Sequence, residues 1–588
     1  MALAALAACI AVALAYFATR GDLLGAALAG LTLAMALVPE EFPVVLTVFL
    51  ALGAWRISRH GVLTRRMPAI EMLGAATVLC VDKTGTLTEN RMSVVESSPA
   101  AIDAAALACE LEPFDPMDRA IVAAGTEQVL EKRKNWKLER DYGLSPQFLA
   151  MCHVWRAPGG LRVALKGAPE TVLGLCGRRD LLPEVERAAR RGLRLLGVAE
   201  AEWQGALPED QARYPFRWVG FVALADPLRA SVPDAVARCS RAGIRVVMIT
   251  GDYPGTALEI ARQAGIVAER ALTGAEIEAM DDAALVLAVK SASVFARVQP
   301  QQKLRLVSAY KAAGEVVAMT GDGVNDAPAL KAAHIGVAMG RRGTDVAREA
   351  AALVLLEDDF GSIVATIELG RRIYANIRNA MRYIVSVHVP TAGMAFLPLV
   401  FGWPLFLFPV HVVFLEFVID PACSVVFEAE KGGEDAMARP PRDPRAPLFD
   451  AAMLGWSVLL GATLLAAVFA LYAWAVASGR ADGEARAMGF AAIVAGNLAL
   501  ILVNRSPLRT AWRMLREPNA ALWWILAGTL AALAAAIYVP AAAAIFRFAP
   551  LGAGDFALAC AAGIAGVAWL DLWKVWRGRR FSAAESPG

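Results

Sequence analysis

Thr77-Val78-Leu79-Cys80-Val81-Asp82-Lys83-Thr84-Gly85-Thr86-Leu87-Thr88 decides how the rest of the chain is read. The apolar run 77–81 has the length and composition of a buried strand. An Asp closing such a strand stands at the carboxyl edge of a sheet, where open α/β folds bind their ligands. A carboxylate there is a candidate nucleophile toward a phosphoryl group, becoming an aspartyl-phosphate. Lys83 and the hydroxyls of Thr84 and Thr86 suit phosphoryl oxygens, and Gly85 allows close backbone approach.

Later segments repeat the pattern of an apolar run ending in small, hydroxyl or acidic residues. Val219–Leu224 runs into Asp226-Pro227-Leu228-Arg229. Ile244–Ile249 ends in Thr250-Gly251-Asp252. Val316–Met319 ends in Thr320-Gly321-Asp322-Gly323-Val324-Asn325-Asp326. Together they describe one phosphate and Mg²⁺ site. Thr250 offers a hydroxyl, and Lys303 can neutralise charge in the transition state. Asp322 and Asp326 can hold Mg²⁺, which prefers one or two carboxylates plus phosphate and water. The segment 96–218 interrupts the alternation and reads as an inserted domain, with Lys166-Gly167-Ala168-Pro169-Glu170 as its best motif. A Lys after the apolar Val163-Ala164-Leu165 can reach a nucleotide.

At 588 residues the chain is too long for one core. With 57% hydrophobic and 19% charged residues it is too apolar for a soluble protein of that length. Stretches at 1–19, 23–50, 383–401, 404–427, 451–477, 488–503, 521–545 and 553–572 each approach the ~20 residues that cross a bilayer. No basic residue precedes the first, so it reads as a retained span rather than a secretory signal. Basic residues cluster on one side: Arg56, Arg59, Arg65 and Arg66 after the second span, Arg371, Arg372, Arg378 and Arg382 before the third. Arg439 to Arg445, Arg505 to Arg516 and Lys574, Arg577, Arg579 and Arg580 fall on the same side. Arg20, Arg480, Arg486 and Arg547 hold the other. Eight spans then leave both termini and the loop 59–370 in the cytoplasm. Lys plus Arg total 58 against 56 Asp plus Glu, which gives no reason to expect nucleic acid. The eight Cys form no C-x-x-C pair, so no disulfide framework or thiolate metal site is indicated.

The second span is interrupted by Pro39-Glu40-Glu41-Phe42-Pro43. Prolines remove donors and free carbonyls, and broken helices at mid-membrane are places where cations are coordinated. Glu416 and Asp420, at i and i+4, share a helical face. Acids inside spans point to function. His388 reads equally as a ligand, a titrating counter-charge or a packing residue, and His411 as structural.

These motifs, in this order, resemble the P-type ATPases, the ion-pump branch of the haloacid dehalogenase superfamily. The resemblance covers essentially the whole chain. It implies an eight-span helical bundle, a Rossmann-like α/β phosphorylation domain and an inserted α+β nucleotide-binding domain. The implied divisions are 1–58 (spans), 59–95 and 219–370 (phosphorylation domain), 96–218 (nucleotide-binding domain) and 371–588 (spans). It implies phosphorylation of Asp82 by ATP with Mg²⁺ at Asp82, Thr84, Asp322 and Asp326. Lys83, Thr84, Thr250, Gly251, Asp252 and Lys303 then serve the reaction. Lys166, Gly167, Arg194, Asp226, Arg229 and Asn325 would serve the nucleotide. Calcium pumps carry an adenine-stacking Phe in the stretch matching Tyr142-Gly143-Leu144-Ser145, where this chain has Leu144. Glu40 matches the family's ion-binding glutamate, with Glu416, Asp420 and His388 completing the transported-cation set. His388 and Thr391 stand where calcium pumps have Asn and Glu, which leaves Ca²⁺, Mg²⁺, Mn²⁺ or H⁺ open. No C-P-C breaks the second span, which argues against a soft-metal pump.

Family members have ten spans and an actuator domain carrying T-G-E-S. Nothing here reads T-G-E-S, and Met1 falls at the family's third span. The expectation is a truncated or split pump of a bacterial inner membrane, working with a separate actuator-containing fragment. A membrane-anchored phosphohydrolase and a non-catalytic partner subunit are the alternatives.

Overall fold

The computed structural model describes residues 2–144, 148–191, 193–431 and 434–584. Ser145 and the side chains of Arg577, Arg579 and Arg580 lie outside the described set. The chain divides into two compact units. One comprises residues 1–56, 368–436 and 442–588, and the other 57–367 with 437–441.

The second unit contains two sheets. The eight-stranded one runs Val62–Thr64, Leu353–Leu355, Ile335–Met339, Val317–Gly321, Val78–Asp82, Arg245–Ile249, Val294–Ala296 and Leu272–Thr273. Only the first, an edge strand, is antiparallel to its neighbour. Parallel strands need helical crossovers that cover both faces, which is why Val78, Leu79, Cys80 and Val81 are all buried. Val78–Asp82 pairs with Arg245–Ile249 on one side and Val317–Gly321 on the other. The chain leaves it first in one direction and later in the other. This reversal of strand order opens a crevice at the carboxyl ends, beside Asp82.

The other sheet is antiparallel, in the order Ser93–Ser97, Arg217–Ala225, Arg194–Trp203, Gly160–Gly167, Ala150–Ala157 and Lys137–Tyr142. Consecutive side chains alternate faces, so Val198 and Ala199 enter two different cores. The inserted segment expected at 96–218 is therefore larger at both ends. Val219–Leu224, expected among the phosphate-site strands, belongs to this sheet: Leu224 pairs with both Val94 and Arg194. An apolar run alone does not say which sheet a strand joins.

Among the described residues, seven helical stretches are long and apolar enough to cross a membrane: Leu23–Arg59, Phe360–Val400, Pro409–Phe427, Ala451–Ala477, Asp482–Asn504, Ala520–Tyr538 and Ala553–Trp576. The stretch expected first is represented by the shorter apolar helix Cys9–Arg20. The helix expected to break at Pro39 does so: Leu23–Leu37 ends, and Glu41–Arg59 begins after a non-helical Val38. His411 caps its own helix, its Nδ1 accepting from Phe408 N at 2.9 Å and its Nε2 lying 2.9 Å from the Phe546 carbonyl.

Candidate functional site

Asp82 closes the central strand with extended backbone, and the turn Lys83–Leu87 follows. Gly85 has φ +72°, a conformation that costs other residues. The Asp82 N–H donates to Thr320 Oγ1 at 3.1 Å, tying the turn to the neighbouring strand. The Thr88 hydroxyl donates to Asp226 Oδ2 at 2.6 Å. Arg229 donates to the carbonyls of Gly85 and Thr88, each at 3.1 Å. Asp226 and Arg229, implied as nucleotide contacts, are thus engaged in holding the Asp82 turn. The isolated bridge Thr88–Leu228 runs beside them.

Lys303 enters from the helix Pro300–Ala312. Its ammonium lies 2.6 Å from Asp82 Oδ2 and 2.8 Å from Asp326 Oδ1. Burial alone would lower its pKa, but the two carboxylates outweigh burial and hold it above the ordinary lysine range. Asp326 Oδ2 accepts from the N–H groups of Asp322 (3.2 Å) and Gly323 (3.1 Å), so it folds its own loop back onto the site. Lys83 pairs with Asp252 at 2.8 Å, and the Asp252 N–H donates to Thr250 Oγ1 at 3.1 Å. Thr250 is buried, Thr84 half-buried, and Asn325 exposed.

Burial raises the Asp322 carboxyl above its ordinary range, and the Asp82 and Asp326 carboxylates raise it further. Three acids converge where only Lys303 bridges two of them. That surplus of negative charge fits a divalent cation held by oxygen, the chemistry of Mg²⁺.

Arg342 is a member of the site that the motifs did not reveal. A Cβ on Gly85 would overlap its guanidinium. Arg342 also acts electrostatically on Asp322. Its Nε donates to the buried Asp358 at 3.4 Å, while its buried Nη2 has no hydrogen-bond partner among the described residues. The signal was present in Gly340-Arg341-Arg342-Gly343, which follows the strand Ile335–Met339 at the same sheet edge.

In the antiparallel sheet, Lys166 is 3% exposed, and its ammonium donates to Asp118 and to Cys109 Sγ. Burial pushes the Cys109 thiol up to about 12, so it stays protonated. Gly167 packs against the Ala150 backbone, and Arg194 is exposed. Tyr142 is buried, its hydroxyl bonded to Tyr214 and to the Pro208 carbonyl, whereas Leu144 is 66% exposed. Of the two residues considered for adenine packing, Leu144 alone is open.

In the membrane unit, Glu40 is exposed and Glu41 is 3% exposed. The acid next to His388 is Glu41, with Nε2 3.6 Å from Oε2. The sequence singled out Glu40 and not Glu41. Glu41 opens the second half-helix and turns its side chain inward, while Glu40 remains in the break. Glu41, His388, Thr391 and Glu416 line a cavity of about 10 Å³, room for one water-sized occupant. Glu40 still acts electrostatically on Glu416 and Asp420, and Asp420 is exposed. The His388 Nδ1 lies 2.9 Å from the Ile384 carbonyl, and Thr391 donates back to Val387 at 2.8 Å.

Comparison with known proteins agrees with both units. The haloacid dehalogenase-like hydrolase family matches residues 76–334, and the family described as cation transporting ATPase, C-terminus, matches residues 404–576. The chain is 34% identical to a probable cation-transporting ATPase F of Mycobacterium tuberculosis, over 91% of this chain and 67% of that protein. It is 30% identical to a calcium-transporting ATPase of Bacillus subtilis, over 91% of this chain and 68% of the relative. To a calcium-transporting ATPase 1 of Bacillus cereus it is 32% identical, over 76% and 55% respectively.

Proposed function

The chain belongs to the P-type cation-transporting ATPases, and from that premise we propose that it couples ATP to the passage of a divalent cation, Ca²⁺ foremost, through a phosphorylated Asp82. The observation that carries this reading is Asp82 at the strand-order reversal with the Lys303 ammonium 2.6 Å away. In the proposed step, an Asp82 carboxylate oxygen bonds to the γ-phosphorus of ATP as the bond to the β–γ bridging oxygen breaks and ADP leaves. Lys303 spreads the charge that develops on the phosphoryl oxygens, an effect worth about 10²–10³ in rate when one such donor is removed. The Thr250 hydroxyl and the Gly251 N–H offer further donors, and Asp252 holds Lys83 ready. Mg²⁺ bound at Asp82, Thr84, Asp322 and Asp326 would draw charge from the same oxygens. Asn325 is exposed at the loop beside it.

For the nucleotide, Leu144 and Arg194 present open surface, and Lys166 acts through its pair with Asp118. In the membrane, Glu41, Glu416 and Asp420, with Glu40 at the break and His388 beside Glu41, form the proposed cation path. Relatives named as calcium transporters support the choice of Ca²⁺. The side bearing most Arg and Lys supports a cytoplasmic α/β unit and cytoplasmic termini in a bacterial plasma membrane.

Labelling by γ-phosphate-labelled ATP across a panel of Ca²⁺, Mn²⁺, Mg²⁺ and protons tests the proposal, with Asp82→Asn as control. Cation-dependent, acid-stable labelling lost in Asp82→Asn is the expected result. Labelling that no cation alters would favour a membrane-anchored phosphohydrolase instead.

A further inference from the structure

His153 lies in the strand Ala150–Ala157, fully buried, and its ring meets the Leu107 backbone and the Asp141 carboxylate without a well-aligned hydrogen bond at either nitrogen. A buried polar group without an aligned partner is costly, and an ion or a water is a usual reason one persists. Across the antiparallel ladder its register partner is Asp141. The His153 Nε2 lies 3.3 Å from Asp141 Oδ1, close enough to pair yet without hydrogen-bond alignment. Glu110, just beyond the helix Pro99–Leu107, supplies a third donor, and the three donor atoms all lie within 4.8 Å of one another.

The spacing has a simple interpretation. Two ligands about 2.0–2.1 Å from one tetrahedral ion stand roughly 3.3 Å apart. We propose that Glu110, Asp141 and His153 form a site for a divalent transition-metal cation of the zinc class, bound through His153 Nε2 and one oxygen of each carboxylate. Imidazole with two carboxylates suits such a cation. Ca²⁺ would need six to eight oxygens. Burial holds the imidazole below the ordinary histidine range, which keeps it in the neutral, ligating form. Asp141 is exposed and Glu110 half-buried, so the side away from His153 is open to a water as fourth ligand. The site is distinct from the Asp82 crevice and from the membrane acids. It adjoins Lys166 through Asp118, whose Oδ2 accepts from the Glu110 N–H at 3.3 Å.

The test uses the purified full chain in detergent, stripped with chelator and titrated with Co²⁺ and then Zn²⁺. One Co²⁺ per chain with the intense visible absorption of a tetrahedral site, displaced by Zn²⁺, is expected. Co²⁺ in all-oxygen octahedral sites such as the Asp82 crevice absorbs far more weakly, and the His153→Ala variant separates this site from the membrane acids beside His388. Asp141→Asn and Glu110→Gln leave the buried histidine packing in place, and each should weaken binding by about tenfold or more. His153→Ala should abolish the band. The proposal is overturned if the wild-type chain gives no tetrahedral band, or if the Asp141→Asn/Glu110→Gln double variant binds with wild-type stoichiometry and affinity.

Discussion

Lys303→Ala is the most informative single substitution, because Lys303 bridges two carboxylates with little water to screen them. Side-chain exposures are 11% for Lys303, 18% for Asp82 and 6% for Asp326. At the distances observed, each pair is worth about 6 kcal/mol of Coulomb attraction at an effective dielectric near 20, before desolvation is subtracted. Removing one partner of such a buried set destabilises by about 3–5 kcal/mol, largely because the remaining charges are stranded. For the reaction, loss of an ammonium aimed at developing phosphoryl charge should slow labelling by about 10²–10³. The two effects separate in a double-mutant cycle. Adding Asp326→Asn to Lys303→Ala removes one stranded carboxylate, so the double variant should regain about 0.5–3 kcal/mol of stability while labelling no faster. Rapid-quench labelling with ATP and denaturation of the detergent-solubilised chain provide the two readouts. Labelling by Lys303→Ala within tenfold of wild type, or a double variant no more stable than Lys303→Ala alone, would refute the reasoning.

Three further outcomes are expected. Asp322 holds its proton to higher pH than an ordinary aspartate, because of burial and then its acidic neighbours. The apparent Mg²⁺ affinity in labelling should therefore weaken as pH falls through that raised range, and Asp322→Asn should bind Mg²⁺ more weakly with a flat profile. Gly85→Ala should lose about 1–2 kcal/mol to its left-handed backbone, plus a clash that Arg342→Ala relieves; thermal unfolding in which Arg342→Ala gives no partial rescue would count against the close approach. Glu41→Gln should depress cation stimulation of labelling more than Glu40→Gln, since Glu41 is the buried acid beside His388; equal effects would return the role to Glu40.

Much of this was legible before any coordinates. A strand ending in Asp82 and two later strands ending in Thr-Gly-Asp fit one parallel sheet edge, since strands covered on both faces read as near-continuous apolar runs. Pro39 announced the helix break, for want of a backbone donor. What escaped depended on which neighbour a segment meets. Val219–Leu224 has the composition of a parallel core strand, yet it pairs antiparallel with Ser93–Ser97 and Arg194–Trp203. Glu40 and Glu41 are adjacent acids, and only the entry angle of the second half-helix decides which one turns inward. Asp226 and Arg229 have the right chemistry for a nucleotide, but their partners lie in the turn that carries Asp82. Arg342 follows a strand some 260 residues after Asp82, and although Gly340-Arg341-Arg342-Gly343 marks the same sheet edge, only the folded sheet brings it onto Gly85.

The pairing of Lys83 with Asp252 and of Lys303 with Asp82 and Asp326 has a consequence for order of arrival. Every lysine at the crevice is already matched to an acid of this chain, and Asp322 adds an acid with no lysine of its own. A bare phosphate dianion approaching this balance would meet the carboxylate charge with only Arg342 and neutral donors such as the Thr250 hydroxyl to receive it. A phosphate travelling with its own divalent counter-ion brings the missing positive charge with it. Such a charge balance favours metal-complexed over free phosphate, so inorganic phosphate without metal should be a poor competitor for labelling even at high concentration.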